Sequence, residues 1–245
     1  MKSDYLAIFE KRGQLYDQAM QKFPTARDAE FFCLLENIDI NNVQRVLDVP
    51  SGGGYLARFF PDNVEIHSLE PCQQFSPKLP HLTTDIDLET LLLPPNAYDL
   101  VVCQAAIHHV KDKALFFAQC YRALQEQGIL CVGDIHGSNP ITSFLDTFAG
   151  AHNGTGHEGY YLTPEKIEKL ASDTGFNKLQ IEEKDCHWIF NNHADMLLFC
   201  RLLFGLVDVS DAELLNAIDA YIGSSEGHDQ TRLHWKMLYA TLQKA

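Results

Sequence analysis

Three consecutive glycines follow a short apolar run in the segment VLDVPSGGGYLARFF, residues 46–60. Glycines at such a position let the backbone turn sharply and approach a ligand closely. The apolar residues that follow are spaced as on one face of a helix: Tyr55, Leu56, Phe59 and Phe60. The segment therefore predicts a strand, a ligand-binding loop and a helix whose first N–H groups are free to bind an acceptor.

Two carboxylates accompany this loop. Asp48 ends the first predicted strand and Glu70 ends the next, close to the interval of about 20 residues typical of a ribose-binding acid. Glu70 could accept two hydrogen bonds from a ribose diol, and its charge would reject a 2′-phosphate. Asp48 would repel a pyrophosphate and attract a ligand that carries an ammonium or sulfonium group. We therefore expect a nucleoside cofactor at the carboxyl ends of these strands.

Two other motifs keep different functions open. Residues 52–57, GGGYLA, match the GxGxxG/A pattern of dinucleotide-binding loops, so a nicotinamide-dependent oxidoreductase is an alternative. Residues 223–227, GSSEG, match the GxSxG elbow of hydrolases, but a predicted helix precedes them and a predicted strand follows, the reverse of the elbow's context. A non-catalytic cofactor-binding subunit is a further alternative, because a closed acceptor pocket is compatible with an intact cofactor loop.

Strands and helices alternate after residue 43, which predicts βαβ crossovers and a mostly parallel sheet. Continuous apolar runs in the fourth and fifth strands indicate burial on both faces. The predicted strands are RVLDV (45–49), VEIHSLE (64–70), HLTTDID (81–87), YDLVVCQ (98–104), GILCVGDI (128–135), KLQIEEKD (178–185) and LHWKMLYATL (233–242). The last two are expected to pair antiparallel at one edge of the sheet.

Capping residues mark three helices in this alternation. Their predicted limits are Asp112 to Gly128, Thr163 with Pro164 to Gly175, and the capping box Ser210 with Glu213 to Gly223. Each helix begins at a side chain able to bond the first N–H groups and is followed by a glycine.

Two regions fall outside the alternation. Residues 1–42 are expected to form a helical N-terminal cap. Residues 136–162 are rich in Gly, His, Asn and Tyr, and predict a long non-regular insertion that covers the acceptor. With a cofactor-binding core over 43–135 and C-terminal helices and edge strands over 163–245, the chain 1–245 is expected to be a single domain.

The composition is that of a globular protein, with 46% hydrophobic and 21% charged residues. A formal net charge of −14 disfavours nucleic acid and anionic membranes as partners. The seven cysteines contain no CxxC pair and lie mostly in apolar runs, as expected of reduced thiols. The N-terminal segment carries charges throughout and lacks the apolar core of a signal peptide. These features predict a cytoplasmic protein.

Five segments resemble, in order, the motifs of class I S-adenosylmethionine-dependent methyltransferases, and most closely the small-molecule branch that includes the ubiquinone and menaquinone enzymes. They are LDVPSGGG, LEP, DLETLLLPPNAYDLVV, CQAAIHHVKD and RALQEQGILCVGDI, and they cover roughly residues 43–135. The resemblance implies an α/β fold with a Rossmann-like, seven-stranded, mostly parallel sheet, helices on both faces, an antiparallel edge strand and a cap over the active site. It also implies S-adenosylmethionine as cofactor and a small-molecule methyl acceptor, whether oxygen, nitrogen or carbon.

The resemblance implies a set of cofactor contacts. The methionine part would pack against Asp48 and the glycine loop, the ribose against Glu70, and the adenine against Asp87, which suits the family's spacing better than Asp85. Pro50 stands where the family usually has a glycine, and proline can neither adopt left-handed backbone nor donate an N–H. The implied residues are Asp48, Pro50, Ser51, Gly52, Gly53, Gly54, Glu70, Pro71, Asp87, Leu88, Gln104 and Ala105, with Tyr16 and Arg27 as candidates for the cofactor carboxylate.

Three histidines lie near the expected position of the transferred methyl group. His108 and His109 directly follow the fourth strand, and His136 follows the fifth. Methyl transfer is an in-line displacement that needs a base only where the acceptor must lose a proton. Histidine accepts protons near neutral pH, so these three are the candidate catalytic residues.

The insertion adds a further polar group: His152, His157, Glu158, Tyr160 and Tyr161. These side chains are expected to form a lid over the acceptor. Considered as metal ligands, the histidines and the acid have a spacing that fits no standard zinc pattern. We therefore expect no metal.

Overall fold

The structure, a computed structural model, describes residues 4–75 and 81–245, so residues 1–3 of the predicted N-terminal cap lie outside the described residues. The helices are α1 (Asp4–Lys22), α2 (Asp28–Leu35), α3 (Lys113–Ala123), α4 (Ile141–Ser143), α5 (Gly150–His152), α6 (Pro164–Thr174), α7 (His193–Phe204) and α8 (Asp211–Tyr221). The strands are β1 (Arg45–Asp48), β2 (Glu65–Leu69), β3 (Leu82–Thr83), β4 (Tyr98–Gln104), β5 (Leu124–Asp134), β6 (Phe176–Asp185), β7 (Trp188–Phe190), β8 (Ser224–Glu226), β9 (Thr231–Leu233) and β10 (Lys236–Lys244).

Seven strands form one sheet in the order β3-β2-β1-β4-β5-β10-β6. The strands from β3 to β5 are parallel, while β10 runs antiparallel to β5 and β6. The predicted seven-stranded, mostly parallel sheet is confirmed. Its antiparallel strand, β10, lies between β5 and the edge strand β6. Asp48 lies opposite Ser68 of β2 and Val102 of β4, so the carboxyl ends of three strands meet at one edge.

Helices cover both faces of this sheet. Val46 and Val102 pack into the apolar cluster formed with α2, α7 and α8. Leu47 and Val101, their neighbours in sequence, pack into the cluster that contains residues of α1, α3 and α6. All four side chains are fully buried. Strands enclosed in this way are apolar throughout rather than alternating, which is the pattern found in the sequence.

The helix predicted after the glycine loop does not form. Turns lead from the loop into a single 3-10 turn at Ala57–Phe59, and the next strand begins at Glu65. Pro61 disfavours helical backbone at the residue before it, and Phe60 is extended. Within the described residues no α-helix starts at the loop, so a ligand there must be held by side chains and loop N–H groups.

The sequence predicted one strand over residues 233–242, but the structure divides this segment between two strands. Leu233 ends β9 and Lys236 begins β10, while β9 pairs with β7 and β8 in a separate three-stranded sheet. Ser225 of the GxSxG motif lies within β8 and pairs with Arg232. A nucleophile elbow needs a sharp turn from a strand into a helix, so the hydrolase interpretation is wrong.

The capping pattern predicted that α3 would end at Gly128, but it does not. The helix ends at Ala123, and the chain enters β5 at Leu124 without a loop. The Ala97 N–H, just before β4, donates to the Ala123 carbonyl at 2.7 Å. The last residue of the helix is thus hydrogen-bonded to the segment that leads into the neighbouring strand. Left-handed backbone occurs at Gln127 instead.

The insertion 136–162 is more regular than its composition predicts. It contains α4, a π-helical stretch over Phe144–Ala149, and α5. Ile141 and Leu145 are buried at the i, i+4 spacing of a helix that packs on the core. Non-regular structure is therefore confined mainly to the residues after His152.

The remaining capping predictions are confirmed. Side chains of Asp112, Thr163 and Ser210 accept the expected N–H groups at the starts of α3, α6 and α8, and Glu213 completes the capping box. Gly175 takes left-handed backbone after α6. None of the helices in the described ranges is long and apolar enough to cross a membrane.

Candidate active site

The carboxyl ends of β1 and β4 open onto a cavity, here called the first cavity. Eight of the residues predicted to bind the cofactor line it: Tyr16, Arg27, Asp48, Pro50, Ser51, Gly52, Gln104 and Ala105. The other lining residues are mostly aromatic: Tyr5, Phe9, Phe31, Tyr55, Leu56, Phe75 and Ala106. The structure thus brings the predicted loop, the fourth strand and the N-terminal helices together around one space.

The glycine loop ties β1 to β2. Gly52 (φ +53°) and Gly54 (φ +75°) adopt left-handed backbone, which residues with a Cβ rarely take. The Gly52 N–H donates to Glu70 Oε2 at 2.7 Å, and the Ser51 N–H donates to the Leu69 carbonyl at 2.9 Å. The position of the loop therefore depends on the same carboxylate that was predicted to bind ribose.

Glu70 lies directly behind the cavity wall and is only 1% exposed. Besides the Gly52 N–H, its Oε2 accepts from the Tyr5 hydroxyl at 2.8 Å, and its Oε1 accepts from the Cys72 N–H at 2.8 Å. A carboxylate offers about four acceptor positions. Three are occupied, and Tyr5 holds one of the two that a ribose diol would need.

A second cavity adjoins the first. Both cavities are lined by Phe9, Tyr16, Arg27 and Ala105. Apolar and aromatic residues form most of the other walls of the second cavity: Ile135, Leu145, Trp188, Leu203, Phe204, Trp235 and Met237. Its remaining polar lining consists of Arg12, His108, His109, Asp134 and His157.

Ala105 marks the junction of the two cavities and has left-handed backbone (φ +53°) despite its Cβ. Its N–H donates to the Gly133 carbonyl at 2.7 Å, which holds the end of β4 against β5. Strained backbone of this kind persists where the surrounding structure enforces it, often at a functional site.

Asp134, at the end of β5, organises the polar side of the second cavity. Its carboxylate accepts from the backbone N–H groups of His108 (2.9 Å) and Ile135 (2.7 Å), and lies 2.7 Å from His108 Nδ1. A carboxylate partner keeps the ring proton on Nδ1 and leaves Nε2 as the proton acceptor. His108 is thereby oriented as a base in the cavity wall.

Two more imidazole rings lie beside His108. The ring centres of His109 and His157 are 4.0 and 5.3 Å from that of His108. Burial, and next the neighbouring His108, lowers the pKa of His109 well below its usual value, and burial also lowers the pKa of His157 although Asp146 opposes the shift. Both rings are therefore neutral near pH 7.

Comparison with known proteins identifies a domain within the chain. Residues 47–132 match a family model described as a methyltransferase domain. Ubiquinone biosynthesis O-methyltransferases of Psychrobacter arcticus and Psychrobacter cryohalolentis are 27% and 26% identical over 161 residues, which cover 56% of this chain and 61% of each relative. Residues 47–132 therefore form a methyltransferase domain similar to those of S-adenosylmethionine-dependent enzymes. The chain spans about three fifths of the length of the ubiquinone relatives.

Solved structures share the fold of this chain. An S-adenosylmethionine-dependent methyltransferase from Mesorhizobium loti matches with a TM-score of 0.54 at 16% identity, over 88% of this chain and 97% of that one. The [4+2]-cyclase SpnF matches with a TM-score of 0.65 at 15% identity, over 99% and 96%. Since a cyclase has the same fold, the reaction must be argued from the site residues.

S-adenosylmethionine, the cofactor of this family, is a sulfonium cation and suits the charge around the first cavity. Burial, and next the neighbouring Glu70, raises the pKa of Asp48 well above its usual value. Burial raises the pKa of Glu70 to about 7. Two buried carboxylates in proximity disfavour each other's ionised form, and a cationic ligand beside them offsets that repulsion.

Arg27 lines both cavities, but its guanidinium is already paired. It bonds Glu30 through Nε to Oε1 (3.0 Å) and Nη2 to Oε2 (2.6 Å), and it donates to the Tyr16 hydroxyl. Glu30 is fully buried and also accepts from Trp188 Nε1 (2.5 Å) and Gln104 Nε2 (3.0 Å). Glu30 thus fixes two predicted cofactor residues, Arg27 and Gln104, although no motif in the sequence points to it.

Six predicted cofactor residues do not line the first cavity: Gly53, Gly54, Glu70, Pro71, Asp87 and Leu88. Glu70 lies directly behind its wall, and Leu88 is buried in the core. Asp87 Oδ1 accepts from the Glu89 N–H at 3.0 Å, and Asp85 is exposed. An adenine contact by either aspartate stays a prediction.

His136 is not brought together with His108 and His109. Its Nδ1 lies 2.8 Å from Ser138 Oγ, and it lines neither cavity, so its catalytic role also stays a prediction. Of the insertion residues considered for a lid, His157 lines the second cavity, while His152 bonds a backbone carbonyl one turn earlier in the chain.

Nitrogens of the His108, His109 and His157 rings lie within 4.8 Å of one another, so these side chains could converge on a metal ion. The Arg12 guanidinium lies near enough to lower the pKa of His109 and His157, after the larger effects of burial and His108. A second cation beside this guanidinium would be repelled. The charge of Arg12 therefore disfavours a metal ion at these three rings.

Aromatic and basic residues of α1 are the main part of the site that no sequence motif predicted. Tyr5, Phe9 and Arg12 stand four and three positions apart and share one face of the helix. A helix face with aromatic and basic residues, rather than aliphatic ones, is the signal that could have found them.

Proposed function

We propose that the protein transfers a methyl group from S-adenosylmethionine to a hydroxyl oxygen of a small molecule in the second cavity. The observation that carries this proposal is the His108–Asp134 pair in the wall of an apolar cavity that joins the first cavity at Ala105. The relatives named O-methyltransferases support an oxygen acceptor. The net charge of −14 favours a small molecule over nucleic acid.

In this proposal the cofactor occupies the first cavity. Asp48 and the loop 50–54 contact the methionine part, Glu70 binds the ribose, and Ala105 faces the sulfonium because it lines both cavities. The methionine part of the cofactor also contacts Gln104 and the hydrogen-bonded pair Arg27 and Tyr16. The adenine part contacts Pro71, Asp87 and Leu88.

When bound, the cofactor would supply a methyl group that the acceptor oxygen attacks in line, and the neutral thioether of S-adenosylhomocysteine would leave. The apolar walls exclude water and hold the acceptor, which is most of what such a displacement requires of a protein. His108 Nε2 accepts the proton of the acceptor hydroxyl, and Asp134 stabilises the charged ring that results. His109 lines the same wall and has a buried Nδ1 without a partner, which we assign to contact with the acceptor.

Transfer of radiolabelled methyl groups to a panel of phenols, alcohols and amines tests this proposal. We expect labelled ethers from phenols, no transfer by Glu70→Ala, and normal transfer by His228→Gln, which is a fully exposed histidine. Binding of S-adenosylhomocysteine without transfer to any acceptor would favour the non-catalytic subunit. Transfer to nitrogen or carbon alone would refute the oxygen acceptor.

Tyr5→Phe is expected to strengthen binding of S-adenosylhomocysteine by about three- to tenfold, the equivalent of one hydrogen bond. The Tyr5 hydroxyl occupies a Glu70 position that the ribose needs, so the wild type must break this bond when the cofactor binds. Isothermal calorimetry measures the change. Tyr98→Phe, whose hydroxyl bonds His67 instead, should bind like the wild type. Weaker binding by Tyr5→Phe would instead make Tyr5 a direct cofactor contact.

Cofactor binding is expected to weaken in acid. Glu70 must be ionised to accept both ribose hydroxyls, and burial raises its pKa to about 7. Protonation therefore competes with binding below that pH, and the affinity for S-adenosylhomocysteine should fall about tenfold per pH unit there and level off above it. Calorimetry across this range measures the profile.

Glu70→Gln is the control for this pH dependence, because it keeps the shape of the side chain without a titrating group. It should bind the cofactor weakly, with little change between acid and neutral pH. A profile as steep as that of the wild type would assign the titration to another group, such as Asp48.

A further inference from the structure

Arg12 is a buried cation in the wall of the second cavity, 7% exposed and projecting from α1. Its Nη1 makes one hydrogen bond of 3.3 Å, to the Phe204 carbonyl, and its guanidinium lies 5.1 Å from the ring centre of Phe9. Its Nε is buried without a hydrogen-bond partner. A guanidinium carries five N–H donors, so most of the hydrogen-bonding capacity of Arg12 is unused.

The charges near Arg12 do not neutralise it. Burial lowers the pKa of Arg12 to about 10, and the groups that oppose this shift are the phenol side chains of Tyr16 and Tyr5 rather than a carboxylate. Among residues 4–75 and 81–245, no carboxylate forms an ion pair with it. The contrast is Arg27, the neighbouring buried arginine, which pairs with Glu30 through two bonds. A buried cation without a counter-ion is costly, so Arg12 provides a site for an anion.

The end of α7 leaves room for this side chain. Gly205 follows the helix with left-handed backbone (φ +63°), and a Cβ at this glycine would lie 3.2 Å from Arg12 Cβ and 3.4 Å from Arg12 Cδ. A larger residue would therefore crowd the stem of Arg12 and displace its guanidinium from the Phe204 carbonyl.

Flat aromatic rings form much of the cavity next to Arg12. Trp188 and Trp235 are stacked with ring centres 4.1 Å apart, and Phe204 stacks against both at 6.2 Å. Walls of this kind bind a planar ring by burial and by offset stacking.

We propose that Arg12 binds the carboxylate of the methyl acceptor, and that the acceptor is a hydroxylated aromatic acid. This inference rests on the proposed function, because it concerns the ligand of the same cavity. Each part of such a molecule has a counterpart in the walls. Arg12 can hold the carboxylate through paired N–H donors, the aromatic residues enclose the ring, and His108 receives the proton of the hydroxyl group.

The binding of two matched probes tests the inference. Protocatechuate, a dihydroxybenzoate, carries the carboxylate, while its methyl ester has the same ring and hydroxyl groups without the charge. The chain's two tryptophans, Trp188 and Trp235, both line the cavity, so quenching of their fluorescence reports its occupancy. Both probes are titrated against protein saturated with S-adenosylhomocysteine.

Wild-type protein should bind the acid at least about tenfold more tightly than the ester, as expected of a charge-assisted hydrogen bond. Arg12→Met should lose this preference, and Arg12→Lys should keep part of it. Arg122→Met, which removes an exposed arginine on α3, should keep all of it. Equal affinities of acid and ester for the wild type, or no binding of either, would overturn the inference.

Affinity for S-adenosylhomocysteine, measured for every variant, separates the possible failures. Arg12→Met should bind it like the wild type, since Arg12 does not line the first cavity. Wild-type protein that failed to bind it would refute the proposed function itself. Normal binding without a preference for the acid, or an Arg12→Met variant that keeps the preference, would refute the carboxylate site alone.

Discussion

His108→Gln is expected to slow methyl transfer by about a hundred- to ten-thousand-fold, with little change in the affinity for S-adenosylhomocysteine. Glutamine can still form hydrogen bonds in the cavity wall, but it cannot accept the proton of the acceptor hydroxyl. Single-turnover rates with enzyme in excess over labelled cofactor measure the chemical step. The defect should shrink as the pH rises, because the acceptor then loses its proton without help from the protein.

Asp134→Asn tests whether the ring must be held in one tautomer. Asp134 bonds His108 Nδ1 and two backbone N–H groups, so asparagine would present a donor where the ring needs an acceptor. We expect a loss close to that of His108→Gln, and a double variant no slower than either single one, because the two residues act as a unit. Wild-type rates in His108→Gln would show that the acceptor reacts without this base.

The parts of the site that could be predicted are those determined by short stretches of sequence. Asp48, the glycine loop and Glu70 lie on two successive parallel strands, so their spacing along the chain determines their meeting at one sheet edge. The observed bond from Gly52 to Glu70 is the direct consequence. Ala105 could be placed for the same reason, because it directly follows the strand that pairs with β1.

The parts that could not be predicted depend on contacts between distant segments. Glu30 bonds Gln104, 74 positions later, and Trp188, 158 positions later. Arg12 donates a hydrogen bond to the carbonyl of Phe204, which lies 192 positions later in the sequence. Hydrophobic periodicity describes which face of an element is buried, but it does not specify which polar side chains meet inside the core.

The local errors have a common cause, which is that tertiary contacts outweigh a capping or periodic signal. The pattern after the glycine loop is helical by spacing, yet Pro61 and the burial of Phe60 favour extended backbone there. Gly128 is a suitable helix terminator, yet α3 ends five residues earlier, at Ala123, where the chain begins to pair in the sheet.

Glu30→Ala is expected to lower the free energy of unfolding by about 3–5 kcal/mol, the range for breaking a buried ion pair from one side. Glu30 is fully buried and accepts four bonds, two from Arg27 and one each from Gln104 and Trp188. Alanine leaves the Arg27 charge and the other two donors unsatisfied in the core. Urea denaturation followed by circular dichroism measures the change. Glu36→Ala, at an exposed acid that follows the same helix, should cost no more than about 1 kcal/mol.

A double variant separates lost charge pairing from lost packing. If the cost of Glu30→Ala comes mainly from the unpaired Arg27, then Glu30→Ala with Arg27→Met should be more stable than Glu30→Ala alone, because no buried charge remains. A double variant as unstable as the sum of the two single ones would attribute the loss to packing and to the Trp188 and Gln104 donors. In either case the first cavity should lose affinity for S-adenosylhomocysteine, since Glu30 holds both Arg27 and Gln104 in its wall.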